Sequence, residues 1–125
     1  MTHIRDELYL GGRDDAFSRS FMTEKKTAVL NVAYDVKKSP YCIDYLHIPL
    51  QDTNDERIIP HFERAISFIN DNLQKGYRVL GHCAAGISRS ASFVIAYIMF
   101  KYRMKYADAH EEVKKKRSMI DPNYN

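Results

Sequence analysis

The sequence has few cysteines, no long apolar run and only a small excess of positive charge. Its two cysteines, Cys42 and Cys83, form no CxxC pair, so neither a disulfide framework nor a zinc site is indicated. The N-terminal residues lack the apolar core of a signal peptide, and the longest apolar run, residues 91–100, is too short to span a bilayer. The net charge of +3 is far from that of a nucleic-acid-binding domain. We therefore expect no nucleic-acid binding and no membrane insertion.

The length and composition are typical of one globular domain. A chain of 125 residues can bury a core without disulfides or metals, and its contents of 45% hydrophobic and 28% charged residues are ordinary. No internal repeat, low-complexity stretch or linker divides the chain. We predict a single domain over residues 1–125.

Predicted strands and helices alternate along the chain. Short apolar runs predict strands, and apolar residues at helical spacing predict helices. The predicted strands are residues 7–10, 28–32, 44–48 and 78–82, and the predicted helices are residues 14–21 with Asp14 as N-cap, residues from Pro60 to a closing Gly76, residues 91–100 and residues 104–117. This alternation predicts an α/β fold: a single compact domain with a central, mostly parallel, twisted sheet of four to five strands flanked by helices.

Residues 82–90, with the sequence HCAAGISRS, form the candidate active loop. They follow the predicted central strand 78–82 and lead into the buried helix 91–100, and such a strand, tight loop and helix N-terminus form an anion site from backbone N–H groups and the helix dipole. A loop that curls around a phosphate brings Cys83 and Arg89 together. Arg89 can hold two phosphate oxygens, and beside its charge the Cys83 thiol should ionise and attack phosphorus.

The other residues of this loop have predicted roles as well. Gly86 permits a tight turn with the amides directed inward, and Ser90 can hydrogen-bond the sulfur and ease its departure in a second step. His82 is expected to orient the backbone around the loop and to favour the thiolate rather than to act as a base. The phosphate oxygens are predicted to bind the backbone amides of Ala84, Ala85, Gly86, Ile87, Ser88 and Arg89.

The loop resembles the H-C-x5-R-S/T signature of the cysteine-dependent protein tyrosine phosphatases, at His82, Cys83, Gly86, Arg89 and Ser90. Further segments, among them LYLGG, VLNVA, YLHIPLQD and FERAISFI, are similar to those of small, atypical dual-specificity protein phosphatases. The resemblance implies a signalling hydrolase that dephosphorylates phosphotyrosine and phosphoserine or phosphothreonine through a phosphocysteine intermediate, with no cofactor and no metal. Its partners would be phosphorylated proteins, since the loop lacks the lysines that phosphoinositide phosphatases carry. A working thiolate favours a cytoplasmic or also a nuclear location.

A second catalytic group is needed to protonate the leaving oxygen. The polar segment after Pro49 contains three candidates for the general acid, Asp52, Asp55 and Glu56. The residue pattern alone does not show which of them it is, and a solvated acidic loop without a catalytic role has the same pattern. The resemblance does choose, because the general acid of small dual-specificity phosphatases is an Asp a few residues past an extended Ile-Pro stretch. That position is occupied here by Asp52, and Asp55 is the next candidate. A thiolate paired with a protonated acid predicts a bell-shaped pH profile with a mildly acidic optimum.

Two further residues have alternative interpretations. In similar proteins an Asn at the position of Asn31 supports the active loop, and the alternative is an ordinary strand-end Asn. Cys42 is interpreted as an inert, half-buried cysteine, and the alternative is a redox partner for an oxidised Cys83, as in some relatives.

Alternative functions and the C-terminus complete the sequence-based interpretation. A phosphopeptide-binding module without activity usually lacks the Cys, the Arg or the acid, and a sulfurtransferase would have no use for Asp52. Relatives continue past a Pro-Asn turn into one more helix, whereas this chain stops at Asn125. Either the sequence is trimmed there or the protein lacks that helix, whose absence would expose apolar surface and favour dimers. We expect a monomer or a weak dimer.

Overall fold

The computed structural model describes residues 1–53 and 55–122. The strands are β1 (Thr2–Arg5), β2 (Leu8–Gly11), β3 (Thr27–Asn31), β4 (Asp44–His47) and β5 (Arg78–His82). The helices are α1 (Arg13–Ala16), α2 (Arg19–Glu24), α3 (Phe62–Gln74), α4 (Arg89–Tyr102) and α5 (Tyr106–Lys116), and a 3-10 turn (Ile59–His61) precedes α3. The Pro-Asn turn predicted at the C-terminus includes Asn123 and so lies outside the described residues.

The five strands form one mixed sheet in the order β1-β2-β5-β3-β4. The pairs β2–β5, β5–β3 and β3–β4 are parallel, and β1 pairs antiparallel with β2 at one edge. The prediction of a mostly parallel sheet with residues 78–82 as a central strand is therefore confirmed. Parallel strands present their carboxyl ends at the same edge of a sheet, so His82 at the end of β5 lies beside Asn31 at the end of β3.

The core has two parts because both faces of the sheet are covered, as a parallel sheet requires. On one face, buried residues such as Leu30 and Val79 pack with those of α3, α4 and α5. On the other face, Val29 and Leu80 pack with residues of α1 and α2. Helix α4 is buried almost all round as predicted, although Phe100 near its C-terminal end is 61% exposed. Among the described residues no helix is long and apolar enough to cross a membrane.

Two elements differ from the sequence-based prediction. Strand β1 was not predicted, since it contributes only one fully buried side chain, Ile4, and its register is irregular. The helix predicted over residues 14–21 consists of two short helices. Helix α1 has Gly12 rather than Asp14 at its N-cap, and Ser18 begins α2 by accepting a hydrogen bond from the amide of Phe21. The sequence pattern indicated a helix here, and the Ser18 side chain, which caps α2, sets the break between the two.

The prediction for α3 is correct in its essential features. Pro60 lies in the 3-10 turn that leads into the helix, a position where its missing N–H costs nothing. Gly76 follows the last turn with a φ of +81°, a left-handed conformation that favours glycine after a helix. Helix α3 packs against α4, and so helps to hold the helix that begins at the predicted active loop.

Candidate active site

Cys83 lies just after β5 and is only 2% exposed. Its Sγ accepts a hydrogen bond from the backbone amide of Gly86 at 3.2 Å, and the hydroxyl of Ser90 lies 3.2 Å from the same sulfur. Gly86 has a φ of +71°, a conformation that turns the chain back on itself and costs a glycine little. The loop of residues 83–88 therefore curls around the sulfur and directs the Gly86 amide at it, while α4 places the Ser90 hydroxyl within hydrogen-bond distance of the same atom.

Arg89 is the first residue of α4, and it is 5% exposed. Its Nη1 donates to the carbonyl of Leu50 at 2.8 Å and to Oδ1 of Asp35 at 3.3 Å. The guanidinium is held in place by two loops that follow strands β3 and β4. Its Nε is buried and has no hydrogen-bond partner within residues 1–53 and 55–122, so one donor of the fork is available to an anionic ligand.

His82 ends β5 and is fully buried. Its Nδ1 lies 3.2 Å from the carbonyl of Cys83, which implies that this nitrogen carries the proton. Burial lowers the pKa of His82 below its ordinary value and outweighs the hydrogen bond to the Cys83 carbonyl, which acts in the opposite direction. A neutral imidazole bonded to the loop backbone is suited to the orienting role predicted for it.

Asp52 is exposed and lies in the irregular segment after β4. The structure connects this segment to the loop through Leu50, two residues earlier, because the Leu50 carbonyl accepts the hydrogen bond from Arg89. The amide of Tyr34 donates to the same carbonyl at 3.0 Å. Asp55 is also exposed and Glu56 is half-buried, so the predicted candidates follow Leu50 in one solvent-accessible stretch.

Asn31 is fully buried at the end of β3. Its side-chain amide donates to the carbonyl of Val36 at 2.8 Å and to the hydroxyl of Tyr45 at 3.1 Å, and its oxygen accepts from the amide of Ala33 at 3.0 Å. These contacts fix the turn after β3 rather than the loop of Cys83. Since that turn carries Asp35, the partner of Arg89, any support that Asn31 gives to the active loop is indirect.

Cys42 lies away from this arrangement. It packs in the cluster on the face of the sheet covered by α1 and α2, whereas Cys83 belongs to the other core cluster. Its thiol donates to the carbonyl of Ser39, and burial raises the pKa of Cys42. A raised pKa disfavours the reactive thiolate, which supports the inert interpretation.

Two residues beside the site were missed by the sequence analysis. Asp35 contacts Arg89 across 54 positions of sequence, and Arg117 donates from Nε to the carbonyl of Gly86 at 2.9 Å and from Nη2 to that of Ala85 at 3.1 Å. Asp35 lies in no motif, and Arg117 ends the segment EEVKKKR, which is similar to the same family as the loop of Cys83 but was given no role. Both contacts depend on how distant loops meet, which a local pattern does not encode. Within the described residues no group of three or more His, Cys, Asp or Glu side chains is placed to hold a metal ion.

Comparison with known protein families gives one clear match. The model of the family described as "Dual specificity phosphatase, catalytic domain" matches residues 8–125. A probable rhodanese domain-containing dual specificity protein phosphatase of Dictyostelium discoideum is 43% identical over 123 residues, which are 97% of this chain and 26% of that protein. Human dual specificity protein phosphatase 5 is 39% identical over 121 residues, or 94% of this chain and 31% of that protein. The chain thus spans about a third or less of these relatives.

Solved structures agree with the sequence comparison. The crystal structure of DUSP15 superposes with a TM-score of 0.92 at 34% identity, covering 98% of this chain and 80% of that one. The human tyrosine phosphatase-like serine/threonine/tyrosine-interacting protein superposes with a TM-score of 0.86 at 36% identity, covering 98% and 87%. Both likenesses extend over nearly the whole chain.

Proposed function

Because the chain belongs to the dual specificity phosphatase family, as a catalytic domain of that family, we propose that it hydrolyses phosphate monoesters on proteins. The proposed substrates are phosphotyrosine and phosphoserine or phosphothreonine. The observation that carries the proposal is one buried sulfur, Cys83 Sγ, which accepts a hydrogen bond from the Gly86 amide and lies 3.2 Å from the Ser90 hydroxyl. A buried thiol in this setting, at the start of a loop that ends at the fixed guanidinium of Arg89, is suited to nucleophilic attack on a phosphoryl group.

In the first proposed step, the Cys83 thiolate attacks phosphorus. The S–P bond forms while the P–O bond to the substrate side chain breaks, and Asp52 gives its proton to the leaving oxygen. Arg89 and the loop amides, including those of Ala84, Ala85, Ile87 and Ser88, bind the other phosphate oxygens and stabilise the charge that builds up on them.

In the second proposed step, water attacks the phosphocysteine. Asp52, now a carboxylate, takes a proton from the water, the P–S bond breaks and inorganic phosphate leaves. The hydroxyl of Ser90, 3.2 Å from Sγ, hydrogen-bonds the departing thiolate and makes it a better leaving group. His82 keeps the backbone at Cys83 in place throughout. The positive groups of the site supply the electrostatic stabilisation, so we propose that the reaction needs no metal or other cofactor.

The chemistry of the loop also suggests the kind of substrate. Apart from Arg89, the loop offers apolar and small side chains and no lysine, so it has no extra cation to pair with a second phosphate on an inositol ring. We therefore propose phosphorylated proteins as substrates and signalling as the setting, and not nucleic acids. A thiolate nucleophile is preserved in a reducing environment, which supports a cytoplasmic or also nuclear location. We propose a monomer or weak dimer.

The experiment is the hydrolysis of an aryl phosphate as a function of pH. We expect the unaltered protein to show a bell-shaped kcat/KM, Cys83→Ser to be inactive, and Asp52→Asn to lose the alkaline decline that titration of the acid produces. Asp55→Asn is the matched control and should behave as the parent does. A rate that keeps rising above neutral pH, or an active Cys83→Ser, would contradict the mechanism. A folded, reduced protein that binds phosphopeptides without releasing phosphate would instead be a binding module.

A further inference from the structure

The carbonyl groups of the active loop are held by residues outside the loop. The carbonyl of Ala84 accepts a hydrogen bond from the backbone amide of Arg13 at 2.8 Å, and that of Ile87 accepts one from the amide of Asp121 at 2.7 Å. The two carbonyls between them are bound by a side chain, because Arg117 donates to Ala85 and Gly86. Four successive carbonyls of the loop therefore have partners on its outer side.

Holding a carbonyl also sets the direction of the next amide. In a trans peptide the C=O and the following N–H lie in one plane and point in opposite directions. The peptide between Ala85 and Gly86 shows this, because its carbonyl accepts from Arg117 while its N–H donates to Sγ of Cys83 at 3.2 Å. The next peptide, whose carbonyl also accepts from Arg117, carries the N–H of Ile87. A charged donor on a carbonyl polarises the peptide, so the opposite N–H becomes a stronger donor.

Arg117 is itself held by a third hydrogen bond, to a residue outside the loop. It follows the last residue of α5, is half-buried, and its Nη1 donates to the hydroxyl of Thr2 at 2.9 Å. Three nitrogens of one planar guanidinium thus reach three different oxygens. An ammonium group has no such fork and cannot hold two adjacent carbonyls in the same fixed geometry. The identity of this residue as arginine, and not only its charge, is therefore important.

We infer that Arg117 is a positioning residue for catalysis: from outside the loop, it holds the peptides at Ala85–Gly86 and Gly86–Ile87 so that their amides face the sulfur and the bound phosphate. This inference rests on the proposed phosphatase function for its kinetic consequences. Its structural content, the support of the thiolate and of an anion by oriented amides, does not depend on turnover.

The test compares Arg117→Ala, Arg117→Lys and a control, Arg5→Ala. Arg5 also joins the N-terminal strand to α5, through Glu112 at 2.6 Å, but it contacts no residue of the loop in the described structure. The measurements are kcat and KM for an aryl phosphate, the pH dependence of Cys83 alkylation by iodoacetamide, binding of inorganic phosphate to the Cys83→Ser form of each variant, and the melting temperature.

We expect Arg117→Ala to lower kcat about 10- to 100-fold, which is the scale of a loop displaced by part of an ångström or of a lost amide donor. The midpoint of its alkylation curve should move to higher pH, and phosphate should bind more weakly. Arg117→Lys should recover less than half of the loss on a logarithmic scale, because it restores charge without the fork. Arg5→Ala should change the melting temperature but leave kcat and the alkylation curve as in the parent.

Several results would overturn the inference. One is an Arg117→Ala protein with the kcat, alkylation midpoint and phosphate affinity of the parent. Another is an equal change of kcat and of the alkylation midpoint in Arg5→Ala, which would mean that only the attachment of β1 to α5 matters. If Arg117→Ala does not fold, Arg117→Lys decides, and a fully active lysine variant would contradict the geometric role. If the parent releases no phosphate, the proposed function fails, and the alkylation and phosphate-binding measurements still test the positioning of the amides.

Discussion

Gly12 packs closely against the backbone of the loop of Cys83, so replacing it should lower the catalytic rate directly. The residue has a φ of −108°, which alanine adopts without strain, so the effect of Gly12→Ala must come from the added methyl group. That Cβ would lie 2.7 Å from the carbonyl oxygen of Ala84 and 3.3 Å from the carbonyl carbon of Ala85. Ordinary Cβ contacts begin at 3.4 Å, so the methyl group falls about 0.7 Å short of a tolerable distance.

The contacting atoms belong to backbone and cannot rotate away. Because the amide of Arg13 donates to the same Ala84 carbonyl, the clash and the hydrogen bond act on one peptide, and either the loop or the start of α1 must move. A misplacement of this size at a reacting centre typically costs about 100-fold in rate, so we expect kcat/KM for an aryl phosphate to fall about 10- to 100-fold. The melting temperature should fall by only a few degrees, since no core side chain is lost.

Gly81→Ala is the matched control for this prediction. Gly81 lies in β5, two residues before Cys83, and a Cβ there would meet the Val94 side chain at 3.6 Å, an ordinary contact. We expect its kcat/KM to stay within about twofold of the parent value. A Gly12→Ala protein with the parent kcat/KM would refute the idea that the packing of this turn sets the loop geometry. A similar loss in Gly81→Ala would refute it as well, because the steric difference between the two sites would then have no consequence.

Three other perturbations test separate parts of the account. Asp35→Asn removes a half-exposed carboxylate that lies 3.3 Å from Arg89 and competes with phosphate for its guanidinium. Ki for inorganic phosphate should therefore fall about two- to fivefold at low salt. An unchanged or higher Ki would contradict this prediction. Burial lowers the pKa of His82 below its ordinary 6.5, so as the pH falls the imidazole of His82 takes up a proton in the unfolded state before it does so in the folded state. The contribution of the neutral His82 to the free energy of unfolding is therefore complete above about pH 6.5 and is lost as the pH falls below it. Urea unfolding at about pH 7.5 and about pH 5.5 measures this: the free energy of unfolding should differ less between the two pH values in His82→Gln than in the parent. Ile98→Ala empties a fully buried site in α4 and should lower the free energy of unfolding by about 2–5 kcal/mol, whereas Phe100→Ala, on the exposed side of the same helix, should change it by less than about 0.5 kcal/mol. Denaturant unfolding measures both, and equal effects would contradict the packing described for α4.

The features that were predictable from the sequence are those that depend on neighbouring residues. The run before Cys83 has the composition of a buried strand, and the apolar helix after Arg89 is covered almost all round, so the order of strand, loop and helix followed directly. Gly86 could be assigned a special conformation because the loop is too tight for an ordinary backbone, and its φ of +71° agrees. Such local patterns predicted the sheet, its mostly parallel character and the loop between β5 and α4.

The features that were missed depend on contacts between distant segments. Arg117 reaches the loop across 31 positions of sequence, and Asp35 reaches Arg89 across 54. The side chain of Asn31 bonds to the turn after its own strand and to Tyr45 in β4, whereas the sequence left two interpretations of this residue open. Strand β1 has few buried residues, so its pairing with β2 decides its conformation more than its own composition does.

The central claim is that Cys83 becomes covalently phosphorylated during turnover, and mass spectrometry of a rapidly quenched reaction tests it most directly. An activated aryl phosphate, whose leaving group needs no proton, should phosphorylate Cys83 even in Asp52→Asn, and the adduct should accumulate there because the water of the second step has lost its base. The account predicts one added phosphoryl group on the peptide containing Cys83, in the parent and at a higher level in Asp52→Asn, and none in Cys83→Ser. Release of phosphate with no adduct on Cys83 at any time, or with the adduct on another residue, would contradict it.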